Sequence, residues 1–71
     1  MRADRTYDLR VNRHRGGPDS IEVLEVETGE IALFWDLLPH QTGRMARALR
    51  TDLAQLEDRD FLAKWSRYQA G

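Results

Sequence analysis

The sequence predicts an α+β fold of βββαα order: a three-stranded antiparallel β-meander, one amphipathic helix packed across it and a shorter C-terminal helix. Apolar residues recur at every second position before Trp35-Asp36 and at every third or fourth position after it. The first period is typical of half-buried strands and the second of amphipathic helices. We therefore expect a single small domain over 1–71, with the sheet at about 6–35 and the helices at about 38–57 and 59–69.

Three short segments predict the strands of the sheet. Apolar and polar residues alternate from Tyr7 to Asn12, as in a strand with one wet face. The second and third strands are expected over 21–27 and 31–35, after a loop rich in glycine. Thr28-Gly29 lies between them, and glycine readily takes the positive φ that a tight hairpin turn requires.

A turn at Thr28-Gly29 predicts the register of this hairpin. Val26 then faces Ile31 and Leu24 faces Leu33. A four-residue loop would keep the same pairing parity, so that the same side chains share a face. Because side chains alternate across a sheet, both faces carry apolar groups. The first face is expected to hold Leu24, Val26, Ile31, Leu33 and Trp35. The second is expected to hold Ile21, Val23, Ala32 and Phe34.

The helical part contains two apolar stripes. Pro39 suits the first turn of a helix, where its missing N–H is not needed. When one helical wheel is extended through the tail, the second stripe lies roughly 140° from the first. The chain either breaks near 57–59, with Asp58 as N-cap, or continues as one helix with two faces; we favour the break, although no glycine or proline forces it. The first stripe comprises Leu38, Met45, Leu49, Leu53 and Leu56, and the second Phe61, Trp65 and Tyr68.

The composition limits the classes of function. A chain of 71 residues without cysteine has no disulfides and no thiolate metal ligands, and so small a core is only marginally stable. Oligomerisation or a partner is therefore a reasonable expectation. The N-terminus does not resemble a signal peptide, and no apolar run approaches the ~18 residues of a membrane span. We expect a cytoplasmic protein of bacterial or phage-like character.

The inventory of reactive groups predicts neither catalysis nor a cofactor. There is no cysteine and no nucleophile elbow, and neither serine has a histidine nearby in the sequence. His14 and His40 lack the spacing of metal ligands. Asp52 lies at the edge of the first helical stripe, where we expect it to reach an arginine of the sheet or the solvent. An enzyme is not expected.

Charge is distributed unevenly along the chain, although the net charge is only −1. The stretch 21–43 contains five acidic residues and no lysine or arginine. The candidates for phosphate contact lie in the Gly-rich loop and on one ridge of the first helix. These are Arg13 and Arg15 in the loop and Arg44, Arg47 and Arg50 on the helix. A nucleic-acid-binding accessory protein is the alternative function that they support, although the chain is not basic overall.

The layout of Tyr7 to Leu56 resembles the small sheet-reading DNA-binding domains at the N-termini of some phage-type integrases. Thr28-Gly29 lies where the hairpin of those domains turns. The resemblance implies a sheet followed by a packed helix. It does not imply their activity, because the exposed sheet positions here are Glu25, Glu27 and Glu30, which repel phosphate.

The second apolar face of the sheet and the aromatic tail stripe together suggest a function. Contiguous exposed apolar surface commonly marks an interaction site, and tryptophan and tyrosine often anchor one. We expect a small non-catalytic protein-interaction or regulatory module that binds a partner protein or a second copy of itself. Equally, the tail could fold onto that face within one molecule. The expected interface residues are Ile21, Val23, Phe34, Phe61, Trp65 and Tyr68.

Overall fold

The computed structural model describes residues 1–69 and confirms the predicted α+β order, with a short additional helix before the sheet. The three strands form one antiparallel sheet in the order β1-β2-β3, and two helices follow. The main helices begin and end within a few residues of the predicted positions. The elements are α1 (Ala3–Thr6), β1 (Tyr7–Asn12), β2 (Asp19–Glu25), β3 (Ile31–Leu37), α2 (Pro39–Gln55) and α3 (Asp58–Ser66).

The β2–β3 hairpin has a different register from the predicted one. Its turn spans four residues, 26–29, and Gly29 has the expected positive φ of 74°. Leu24 pairs with Ile31, but the next pair is Val23 with Leu33, so β3 carries one extra residue between 31 and 33. This β-bulge reverses the pairing parity beyond the turn. The predicted pairing of Leu24 with Leu33 is therefore wrong.

The bulge decides which side chains enter the core. Val23 now lies on the same face as Leu33 and is 0% exposed. Val26 and Ile31, which the predicted register placed in the core, are 56% and 53% exposed. Leu24 lies on the opposite face from Val23 and is half-buried. The core face of the sheet holds Tyr7, Leu9, Val11, Ile21, Val23, Leu33 and Trp35.

The chain breaks between the two main helices, as favoured from the sequence. Neither glycine nor proline causes the break; instead the N-terminal segment lies along it. The N–H of Ala3 donates to the carbonyl oxygen of Leu56 (2.9 Å), and the N–H of Asp58 donates to that of Met1 (2.8 Å). Glu57, rather than the predicted Asp58, is the N-cap residue of α3. Backbone groups that a break would leave unpaired are thus satisfied.

The aromatic residues of α3 pack into the same core as α2. Phe61 is fully buried and stacks against Tyr7, with ring centroids 5.7 Å apart. Trp65 meets Trp35 edge to face at 6.0 Å. Both helices therefore cover the same side of the sheet, and the alternative in which the tail folds onto a second sheet face is not observed. Edge-to-face aromatic pairs of this kind add about 0.5–1.5 kcal/mol beyond their burial.

A buried polar pair joins the start of β2 to α2. Thr42 and Asp19 are 0% and 3% exposed, and the Thr42 hydroxyl donates to Asp19 Oδ2 at 2.7 Å. The backbone N–H of His14 donates to Asp19 Oδ1, and Arg13 lies 3.5 Å from Oδ2. The bond from Thr42 is the main reason that the pKa of Asp19 lies below its ordinary 3.8, against the opposing effect of burial. The ionised carboxylate therefore stabilises the fold.

We predict that Thr42→Val lowers stability at neutral pH and that this loss shrinks in acid. A carboxylate whose pKa is depressed in the folded state stabilises the protein above its unfolded-state pKa, and the effect disappears as pH falls through the folded-state value. Urea denaturation of the wild type and the variant between about pH 7 and pH 2.5 measures the difference. Thr51→Val, at an exposed position of α2, is the control. A Thr42→Val loss that is the same at all pH values would contradict this role.

Candidate interaction site

The outer face of the sheet, opposite the helices, is divided between polar and apolar residues. Cross-strand pairing places its residues in three rows, and residues of one row share the face. Polar side chains occupy the β1 side and apolar ones the β3 side nearest the hairpin. The rows are Asp8–Leu24–Ile31, Arg10–Glu22–Phe34 and Asn12–Ser20–Asp36.

The apolar corner of this face continues onto the C-terminal turn. Phe34 and Ile31 are 43% and 53% exposed, and Tyr68 is 62% exposed. Phe34 and Tyr68 line one shallow cavity of ≈ 420 Å³. The Tyr68 ring also lies 5.5 Å from the ring of Trp65, which ties it to the core. We call Leu24, Ile31, Phe34 and Tyr68 the apolar patch.

Acidic residues lie around the apolar patch. Asp36 is exposed on β3 and lines the same cavity as Phe34. Glu30 is exposed at the hairpin turn, next to Ile31 in the chain, whereas Glu27 lies on the other side of the turn, in a cavity with Met1 and Arg5. Arg10, the basic residue of the outer face, is held by Glu22 at 3.0 Å on the β1 side. The surroundings of the patch therefore favour a positively charged ligand.

The structure separates the six residues that were predicted to form an interface. Ile21, Val23 and Phe61 are fully buried within the chain, and Trp65 is 8% exposed. Only Phe34 and Tyr68 remain at the surface. Sequence reasoning missed Leu24 and Ile31 as members of the exposed face, because the bulge that turns them outward has no glycine or proline to mark it.

Arginines from the loop and from α2 meet in a second shallow cavity, of ≈ 410 Å³. Gly43 leaves room for them: guanidinium nitrogens of Arg47 and Arg13 lie 3.7 and 3.8 Å from the position that a Cβ there would take. Arg47 and Arg50 form no ion pair with any of residues 1–69. We call this cavity the basic groove; it is lined by Val11, Arg13, Gly43, Ala46, Arg47 and Arg50.

The other two predicted phosphate contacts lie elsewhere. Arg44 lines a different cavity, of ≈ 450 Å³, together with Leu37, His40 and Met45. Arg15 is exposed near the tip of the loop and lines neither cavity. The basic groove thus joins three of the five arginines that the sequence singled out.

The remaining titratable residues offer few alternatives. Asp52 accepts hydrogen bonds from Lys64 Nζ (2.6 Å) and Trp65 Nε1 (2.9 Å), so its partners come from α3 and not from the sheet. Within residues 1–69, no three histidine, aspartate or glutamate side chains are grouped so that they could hold a metal ion. In the same part of the chain, no helix combines the length and apolar character needed to cross a membrane.

Comparison of the chain with protein-family models, with curated proteins and with solved structures gives no match in any of the three. The apolar patch and the basic groove are therefore the two surfaces from which a function can be inferred.

We predict that valine-to-threonine substitution is costly at one valine and nearly neutral at another. The bulge reverses which of the two is buried in the core. Val23→Thr places a hydroxyl in the core and should lower the free energy of unfolding by about 1–3 kcal/mol. Val26→Thr, at a position that is 56% exposed, should change it by less than about 0.5 kcal/mol. Chemical denaturation of both variants measures the pair. A larger loss for Val26→Thr would support the register without the bulge.

Proposed function

We propose that this protein is a small non-catalytic interaction module, of an accessory or regulatory kind, that binds a partner protein through the apolar patch. The observation that carries the proposal is the exposure of Ile31 and Phe34 on a sheet face that no helix within residues 1–69 covers, with Tyr68 exposed beside Phe34. Apolar surface removed from water contributes about 25 cal/mol per Å², so a partner that covers this patch gains binding energy directly. Aromatic residues are also common anchors at interfaces.

The charge around the patch indicates the chemistry of the partner. Asp36 and Glu30 would attract lysine and arginine side chains. A symmetric dimer that packs two outer faces together would instead place like charges opposite each other. This supports a different protein as the partner: a segment with apolar anchors flanked by basic residues.

A pair of synthetic peptides tests this function. Both contain the same two apolar anchors, leucine and tryptophan, and the anchors are flanked by lysine in one peptide and by glutamate in the other. We predict that the lysine peptide shifts the NMR signals of Leu24, Ile31 and Phe34 and that added salt weakens its binding. Phe34→Thr should reduce its affinity at least about tenfold, which corresponds to ~1.4 kcal/mol.

Met45→Gln on α2 is the control for lost apolar area, because Met45 is half-buried in the helical layer. Equal weakening by Phe34→Thr and Met45→Gln would contradict binding at the patch. So would equal binding of the lysine and glutamate peptides, because the acidic surroundings would then select nothing.

Nucleic-acid binding at the basic groove is the second candidate. It is supported by the approach of Arg13 and Arg47 around Gly43, with Arg50 beside them. Arginine forks suit phosphate oxygens, and no acidic residue among 1–69 neutralises Arg47 or Arg50. Three side chains would neutralise only a few phosphates, so the affinity would be modest.

We predict for this candidate a binding constant for duplex DNA that falls with salt with a logarithmic slope of about −2 to −3, as expected for two or three phosphate contacts. Fluorescence anisotropy with a labelled duplex at low salt measures it. Arg47→Glu should abolish the signal, whereas Arg59→Glu, on the exposed side of α3, should retain most of it. Absence of binding at low salt, or equal losses for the two variants, would exclude the groove as a nucleic-acid site.

A further inference from the structure

Within residues 1–69, one side chain forms hydrogen bonds with the backbone at the outer edge of β3. Phe34 directs its backbone N–H and C=O away from β2. Its N–H donates to Oε1 of Gln69 (3.2 Å), and Nε2 of Gln69 donates to its C=O (2.9 Å). In an antiparallel ladder, one residue of a neighbouring strand would make this same pair of bonds. The amide of Gln69 therefore occupies the place of a fourth strand.

The backbone around Gln69 is anchored independently of these two bonds. After α3 ends at Ser66, the N–H of Tyr68 donates to the carbonyl oxygen of Trp65 (3.1 Å). Trp35 Nε1 donates to the carbonyl oxygen of Tyr68 (3.2 Å). The side chain of Gln69 can therefore leave the edge by rotating about its own bonds, while the turn stays in place.

We propose that the edge of β3 is a strand-addition site that Gln69 blocks, and that an extended segment of the partner displaces this side chain and pairs with β3. The proposal rests on the interaction function assigned to the apolar patch and specifies how the partner binds there. Backbone hydrogen bonds along β3 would supply affinity, and the alternating side chains of the segment would supply specificity. The segment expected to fit carries an apolar residue and, two positions away on the same face, a lysine or arginine.

The position of the patch indicates which residues the segment needs. Phe34 lies at the outer edge of the sheet, so a residue paired beside it would lie against its ring. Asp36 is two residues further along the same strand and on the same face. Side chains two positions apart on the added strand also share a face, so an apolar residue beside Phe34 places the residue two positions away beside Asp36, where a basic side chain fits.

The two edges of the sheet differ in a way that favours β3. At the β1 edge, the N–H of Leu9 is taken by the carboxylate of its neighbour Asp8 (2.9 Å). Charged residues, Asp8 and Arg10, occupy the outer face of that strand, and such residues discourage pairing at sheet edges. At the β3 edge, the protection found within residues 1–69 is an amide whose exposed hydrogen bonds are each worth little, so that a strand forming several backbone bonds can replace it.

A capped seven-residue peptide, Thr-Lys-Thr-Val-Thr-Val-Thr, is the probe, because it places a lysine two positions from a valine on one face of the strand and threonines on the other. Its control is the same peptide N-methylated at every residue, which keeps the side chains and removes the backbone donors. Binding of the unmethylated peptide should shift the side-chain amide signal of Gln69 and slow the hydrogen exchange of the Phe34 N–H. Gln69→Ala should raise the affinity for this peptide roughly threefold to tenfold, because the competing bonds are gone. Gln55→Ala, at an exposed position of α2, should leave the affinity unchanged.

The outcomes separate this proposal from the function on which it rests. If both peptides bind equally, Phe34→Thr weakens both and Gln69→Ala changes neither, then the patch binds its partner without strand addition and the proposal is wrong. If the seven-residue peptide does not bind but the leucine–tryptophan peptide flanked by lysine does, strand addition is wrong and the interaction function stands; if neither of these two peptides binds, both fail. If Gln69→Ala self-associates through β3 without any peptide, the edge accepts a strand from a second copy, and the assignment to a different partner is overturned.

Discussion

The pairing of Val23 with Leu33, one residue out of step with the pairing of Leu24 with Ile31, fixes how β3 lies against β2. Because side chains alternate across the sheet, this shift of one residue directs Val23, Leu33 and Trp35 to the helices. It leaves Ile31 and Phe34 on the other face. The composition of both faces follows from this local irregularity. So do the shape of the core and the location of the apolar patch.

The helical layer depends on the same arrangement. Trp35 lies where α3 can reach it. The aromatic residues of the tail therefore enter the core beside the aliphatic residues of α2 and do not cover the outer face. Two threonine–aspartate hydrogen bonds attach this layer to the rest of the chain: Thr42 to Asp19 at the start of α2, and Thr6 to Asp58 at the start of α3. Thr6 is the largest cause of the lowered pKa of Asp58, as Thr42 is for Asp19. In acid both bonds weaken together.

Local patterns in the sequence were sufficient to predict the element order, the hairpin and the helix break. The change of apolar period at Trp35-Asp36 separates sheet from helices, and Gly29 takes the positive φ expected of a turn glycine. The bulge was not predictable, because alanine at position 32 is compatible with either register. The bonds of the N-terminal segment to the helix break and the meeting of Arg13 with Arg47 depend on tertiary contacts between distant residues. Of the predicted interface residues, Phe34 and Tyr68 are exposed in the structure, and their role as an interface stays a prediction.

The register of β3 can be measured directly in solution. Since Phe34 directs its N–H and C=O away from β2, Glu22 and Phe34 form a non-hydrogen-bonded pair, whose Hα atoms lie close together. The bulged register predicts a strong nuclear Overhauser effect between the Hα atoms of Glu22 and Phe34. In its place, a cross-peak from the Hα of Phe34 to that of Ile21, as in a four-residue turn without the bulge, or to that of Val23, as in a two-residue turn, would contradict the bulged register. The assignment of both faces of the sheet would then be wrong.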